Sequence, residues 1–204
     1  MERLVLGTTT YAKFDKEWER VRSDWALRTI ESASDSNYGV VVVDGGSPED
    51  YVQKMRRLGA RVVAQEQPGM GNARRQALRS ARDEVGARDL AIVWTEPEKY
   101  PIVPFLGEAA EKIVQDRHDM VMFRRLSLES YPPEQALAYR IVALGVLYMT
   151  GIGSDFMFGP TVLSKRGVEY YLSYKSRHGD LWDSIHCPKL GIIKDGLSWT
   201  VIPI

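Results

Sequence analysis

Through the first half of the chain, short apolar runs alternate with longer segments of helical period. Residues 4–6 form a first strand-like run, and residues 14–32 place Trp18, Val21, Trp25 and Ile30 near one face of a helix. That spacing predicts both tryptophans in the core. Residues 39–43 carry four consecutive valines and end at Asp44-Gly45-Gly46-Ser47, a second strand and a turn. Pro48 opens a helix through Leu58 at its first position, where a missing N–H costs nothing. Gly59 closes that helix, and residues 61–64 form a third strand. A loop over 65–71 leads into a helix over 72–85, and residues 90–94 form a fourth strand.

Strands that are apolar on both faces and alternate with helices predict a mostly parallel, Rossmann-like central sheet with helices on both faces. Right-handed crossovers then place the strand ends together. Asp44, the glycine-rich loop and Glu96-Pro97-Glu98 all follow such ends, so they share one rim. Open α/β sheets bind ligands there.

The second half is less regular. Residues 102–115 read as a helix and 120–123 as a strand, and Pro132 and Pro133 open a helix to residue 148. Segment 151–160 reads as a loop and short strand, and 165–175 as a helix. A mixed region follows, then a closing strand over 199–202 that ties the C-terminus into the sheet. Without repeats or low-complexity linkers, 204 residues are expected to form a single domain, 1–204. Residues 1–100 would bind the ligand and 101–204 would complete the site.

Composition narrows the function classes. A hydrophobic content of 44% with 26% charged residues predicts a folded globular chain. Lys+Arg and Asp+Glu both number 27, so no basic surplus points to a nucleic acid. Cys187, the only cysteine, excludes an internal disulfide and suits a reducing compartment. The opening run, residues 1–7, is too short for a signal sequence, and no stretch approaches the roughly 18 apolar residues of a membrane span. A soluble, cytoplasmic protein without a transmembrane segment is expected.

Glu96 and Glu98 stand i, i+2 after a buried strand and have the chemistry to hold Mn2+ or Mg2+. The alternative is a surface turn with Lys99 pairing one carboxylate. Asp44 can accept from a ribose hydroxyl or a base N–H, or can cap its own Asp-Gly-Gly-Ser turn. Gly69 and Gly71 permit close backbone approach before a helix N-terminus suited to phosphate. Arg74 and Arg75 lie in that first turn, where cations are unfavourable unless an anion is present. Arg79 and Arg82 read as a solvated face. Asp155, in a glycine-bounded acidic loop, suits acceptor hydroxyls. Cys187 reads as a buried thiol. Trp182 and Trp199 either stack on a sugar or pack, and Arg124-Arg125 either contacts a phosphate or faces solvent, with solvent the preferred reading.

These motifs together resemble GT-A glycosyltransferases, closest to the large inverting family 2-like group that includes cellulose and chitin synthases. Leu6-Gly7-Thr8-Thr9-Thr10-Tyr11 stands where that family has a strand ending in Pro-Thr-Tyr-Asn. Val41-Val42-Val43-Asp44-Gly45-Gly46-Ser47 is similar to its Val-Val-Asp-Asp-Gly-Ser. Gly69-Met70-Gly71-Asn72-Ala73-Arg74-Arg75 resembles Gly-x-x-x-Ala-Arg-Asn, with Arg75 in place of asparagine. Glu96-Pro97-Glu98 falls at the Asp-x-Asp, one methylene longer at each acid and stiffened by proline. Gly196 to Pro203 resembles the closing strand.

The resemblance implies a GT-A fold and transfer of a sugar from a UDP- or GDP-sugar to an unknown acceptor. Thr8, Thr9, Thr10, Tyr11 and Asp44 would bind the nucleoside, with Gly71 and Arg74 on the diphosphate. Glu96 and Glu98 would hold the cation. Asp183 or Asp180 would be the base, with N-capping as the alternative role for Asp180. Some relatives supply a third metal ligand near His178 and His186; a structural or exposed role is the other reading. Two rival functions are a non-catalytic GT-A-like nucleotide- or partner-binding domain and a nucleotidyltransferase. The latter is disfavoured because residues 8–13 lack the glycines of its phosphate loop.

Overall fold

The computed structural model describes residues 4–129, 131–153 and 155–204. Met1, Glu2 and Arg3 of the opening run and Ser154 of the expected 151–160 loop lie outside the described residues. Seven strands form one sheet: β1 (Leu4–Thr10), β2 (Gly39–Asp44), β3 (Arg61–Ala64), β4 (Ala91–Trp94), β5 (Met120–Arg124), β6 (Thr161–Leu163) and β7 (Trp199–Pro203). Their order is β3-β2-β1-β4-β6-β5-β7. β1 is parallel to β2 and β4, β2 to β3, and β5 to β7. β6 alone among them is antiparallel, to both β4 and β5. The C-terminal ends of the other six therefore meet on one rim.

Strand side chains alternate between two cores, as the two-residue period requires. Leu4, Leu6, Val40, Val42 and Val93 face α1 (Glu17–Asp35), α2 (Glu49–Arg57) and α4 (Leu106–Val114). Val5, Val41, Val43, Ile92 and Trp94 face α3 (Met70–Val85), α6 (Lys165–Ser173) and α7 (Asp183–Lys194). A further helix, α5 (Pro133–Thr150), contributes Val146 to the second core. Fully burying one such side chain stabilises the fold by about 1.5–3 kcal/mol. At Gly7 the approach of α3 is too close for a side chain, because a Cβ would lie 2.8 Å from the Ala77 carbonyl oxygen.

Several expectations need correction. β1 runs on to Thr10 because three β-branched threonines continue its pairing with β2 as far as Asp44. α1 begins only at Glu17, after Phe14 with φ 61°. Trp18 and Trp25 are not core residues: they are 52% and 41% exposed. Ser23, Ala26, Thr29, Ile30 and Ala33 form the buried face instead, about a quarter-turn round the helix. Trp18 takes cationic company, with Lys16 Nζ 5.9 Å and Arg22 5.8 Å from its ring.

α3 starts at Met70, two residues before the expected start, with Gly69 at φ 107° as its cap. The predicted helix over 102–115 divides into a 3-10 turn (Tyr100–Phe105) containing Pro104, followed by α4. The short strand expected within 151–160 lies just beyond it, as β6. The mixed region contains α7, whose internal Pro188 obscures its helical period. No helix among the described residues is long and apolar enough to cross a membrane.

Candidate functional site

Register assembles the rim. Thr10 pairs with Asp44 and Asp44 with Ala64, while Trp94 pairs with Gly7. Glu96-Pro97-Glu98 therefore leaves β4 beside the ends of β1 and β2, and the 65–69 loop leaves β3 on the same side. Gln76 fixes that loop by donating to the Ala64 carbonyl at 2.8 Å and accepting from Glu66 N at 2.8 Å.

At the first edge Asp44 is buried and fully engaged. Oδ1 accepts from the Thr10 hydroxyl at 2.9 Å, and Oδ2 accepts from the Gly46 and Ser47 N–H groups, each at 2.9 Å. It holds the turn, and Ser47 Oγ in turn accepts from Ala12 N at 3.0 Å. Thr8 is interior, its hydroxyl donating to the Thr95 carbonyl at 2.8 Å. Thr9 is half-buried. Tyr11 is 60% exposed, and its ring lies against Gly45, where a Cβ would come within 3.2 Å of Cδ2. This leaves a flat aromatic face beside bare backbone, a surface on which a base can stack.

The start of α3 forms the second edge. Arg74 is buried between Trp94 and Trp182, with its guanidinium carbon 5.8 and 5.1 Å from the ring centroids. It donates to Ser184 Oγ at 3.0 Å and to the Leu181 carbonyl. Burial lowers its pKa, and the negative charges of Glu96, Asp180 and Asp183 oppose that shift. Arg75 makes a two-pronged pair with Asp180, whose carboxylate lies against Gly71.

Glu96 and Glu98 form the third edge. Glu98 Oε1 accepts from Arg22 at 2.8 Å. The Glu96 carboxylate rests on Gly159, where a Cβ would fall 2.1 Å from Oε1. Oε2 of each glutamate is buried without a hydrogen-bond partner. Orphaned carboxylate oxygens are costly unless a cation or donor arrives, so the pair fits a divalent ion completed by a ligand's own oxygens. No group of three His, Cys, Asp or Glu suited to a metal occurs among the described residues. Lys99, whose pairing with one carboxylate was the alternative reading of this turn, places Nζ 5.8 Å from the Phe158 ring centroid.

Asp183 begins α7. Its carboxylate accepts from the Tyr174 hydroxyl at 2.9 Å, the Leu181 N–H at 2.8 Å and the Ser176 hydroxyl. The Ser176 bond contributes most to holding it below the ordinary carboxylate range, against burial, with Tyr174 and backbone donors adding to it. Asp155 grips Arg125 through two bonds, 2.6 and 2.9 Å, inside a cage of Tyr131, Tyr139 and Phe158. Burial works against the charge of Arg125, but the bonds and charge of Asp155 outweigh it and raise its pKa. Arg125 also lines a cleft of about 340 Å³ with Ser127, Glu129 and Arg140, beyond the end of β5.

Lys189 had no reading from sequence, yet it is wholly buried, and Nζ donates to the Phe158 carbonyl at 2.8 Å. Burial pushes its pKa down to about 8, against the opposing fields of Glu96 and Asp155. The only signal was a lysine within the apolar run Pro188-Lys189-Leu190-Gly191-Ile192. His186 stacks on Trp182, and burial, then the charges of Lys189 and Arg74, hold it neutral with a pKa of about 3. His178 is exposed, and Cys187 is half-buried rather than buried.

Residues 19–171 match the family described as glycosyl transferase family 2. No curated protein sequence matches the chain. Among solved structures, it is similar to glucosyl-3-phosphoglycerate synthase from Mycobacterium tuberculosis in complex with Mn2+, UDP-glucose and phosphoglyceric acid. That match has a TM-score of 0.69 and 15% identity, covering 99% of this chain and 70% of that one. The same synthase with Mg2+ and UDP gives 0.60 and 15%, over 99% and 69% of the two chains. A mycobacterial protein without a stated activity gives 0.64 and 17%, over 99% and 65%. At such identities the likeness is one of fold.

Proposed function

The chain belongs to glycosyl transferase family 2 and has its α/β GT-A fold, and from that premise we propose that it transfers a sugar from a UDP- or GDP-sugar to an acceptor, assisted by a divalent cation. The observation that carries this is the convergence of three features on one rim. These are the Tyr11–Asp44 edge, the arginine-bearing start of α3, and two glutamates with orphaned buried oxygens. The Mn2+, Mg2+ and UDP held by the similar synthase structures support the same reading.

Tyr11 offers its exposed face to the base, and Asp44 shapes the turn beside it. Arg74 supplies a permanently charged guanidinium for the diphosphate from its buried place between Trp94 and Trp182, where low dielectric strengthens it. Glu96 and Glu98 would hold Mn2+ or Mg2+, and the ion, when bound, neutralises the charge of a leaving nucleoside diphosphate. Asp183 is the base. Its three donors keep it ionised at neutral pH, and it gains proton affinity when an acceptor hydroxyl replaces one of them. The acceptor enters from the cleft beside Arg125, which Asp155 holds in place.

Calorimetric titration of UDP, GDP and their sugars, with and without Mn2+, tests this. Binding strengthened at least about tenfold by Mn2+ is expected, with the gain lost in Glu96→Gln/Glu98→Gln. Tight binding indifferent to the cation and to both substitutions would remove the glutamates from the site. Asp183→Asn should abolish transfer while donor affinity persists; unchanged turnover would exclude Asp183. Donor binding without turnover on any acceptor would turn the assignment towards a binding domain.

A further inference from the structure

Arg74 and Arg75 follow the N-terminus of α3 in its second turn, close to an end of the helix that carries positive potential. The first turn of α3 contains no acid of its own. Distant chain supplies one. Asp180 Oδ1 accepts from one Arg75 NH group at 2.7 Å, and Oδ2 accepts from the other. The carboxylate rests on Gly71 so closely that a Cβ there would fall 2.2 Å from Asp180 Cγ. The seat that sequence spacing reserves for a phosphate is thus already filled, by an anion from the same chain.

The segment delivering this carboxylate turns through two positive-φ residues, Gly179 at 89° and Asp180 at 58°, a conformation that glycine and aspartate adopt most readily. The ion pair is partly exposed, with side-chain exposures of 21% for Arg75 and 28% for Asp180. Solvent therefore screens it in part, and a more highly charged anion can compete for the same fork. A diphosphate carries more charge than a carboxylate and presents more oxygens to the same guanidinium fork.

We propose that Arg75 is a phosphate-binding residue of the donor site, and that Asp180 is an internal anion that occupies its fork until the donor's diphosphate displaces it. This rests on the donor-binding function proposed above and deepens it: the asparagine-to-arginine departure at position 75 becomes a contact to the donor. On exchange, the Asp180 segment is released from Gly71. Arg74, which holds the adjacent Leu181 carbonyl and Ser184 hydroxyl, is the second guanidinium that the movement uncovers.

Calorimetry with UDP, GDP and inorganic pyrophosphate on the wild type, Asp180→Asn and Arg75→Gln tests the exchange. Asp180→Asn should bind UDP or GDP three- to tenfold more tightly, on the order of the free energy of a partly exposed ion pair. Arg75→Gln should bind either diphosphate and pyrophosphate about tenfold more weakly, yet leave affinity for uridine or guanosine unchanged. Hydrogen exchange of amides 176–182 should rise when the wild type is saturated with the nucleotide. Wild-type binding of UDP or GDP that Asp180→Asn leaves unchanged or weakens would overturn the exchange while the donor site stands. Failure of both wild type and Asp180→Asn to bind either nucleotide would overturn both. Thermal melts showing both variants folded exclude collapse as the cause.

Discussion

At the scale of single residues, the rim spends its charges internally. Asp44 uses both oxygens on its own turn, Asp180 is held by Arg75, and Asp155 by Arg125. Among the described carboxylates of the rim, one oxygen on each of Glu96 and Glu98 is buried without a partner. Lys189 adds a cost of its own. Its folded pKa of about 8 lies below the ordinary lysine value of 10.5, so the unfolded chain binds its proton more tightly. The penalty is fully present below pH 8, is relieved as pH rises from 8 towards 10.5, and amounts to on the order of 3 kcal/mol. Urea unfolding of wild type and Lys189→Met at pH 7.5 and pH 10 should show the wild type gaining about 2–3 kcal/mol relative to the variant. A difference between them that stays constant with pH would show that Lys189 titrates normally in the fold.

At the scale of elements, α3 positions the site. It crosses β1 at Gly7 with no room for a methyl, held against the rigid Ala77 backbone. Gly7→Ala should therefore cost about 1–3 kcal/mol by overpacking, read as a lower urea midpoint with an unchanged slope. A midpoint equal to the wild type's would mean that α3 shifts freely. β2, β3, α2 and α3 were legible, because each combines an apolar period with a proline or glycine boundary. The orientation of α1 was not. Its tryptophans had the right spacing for a core face, but the sheet accepts the small-residue face, where Ala26 and Ala33 allow close approach. α7 was hidden by Pro188, and β6 by having only three residues.

At the scale of the whole molecule, one sheet carries both halves of the chain: β4 from the first half is joined through β6 to β5 and β7. Removing residues 199–204 would strip β7 from β5 and Ile202 from the core. Heat should unfold the full chain in one transition, coincident by far-UV circular dichroism and tryptophan fluorescence. The chain lacking 199–204 should show no cooperative transition. Two separate transitions in the full chain would mean that residues 1–100 and 101–204 fold independently.

The order of apolar runs and punctuating glycines and prolines determined the parallel half of the sheet. Strand periodicity is local, and right-handed crossover leaves little choice of rim. The same logic places Asp44, the start of α3 and Glu96-Pro97-Glu98 along that rim. Only the tertiary structure decided which charges meet there. Arg75 and Asp180 lie 105 positions apart, Arg22 and Glu98 76 apart, and Lys189 and Phe158 31 apart. Periodicity within one segment carries no information about such partners. An anion beside the start of α3 was foreseeable from Arg74 and Arg75; that the chain itself supplies it was decided by the segment before α7, whose Asp180 reaches Arg75.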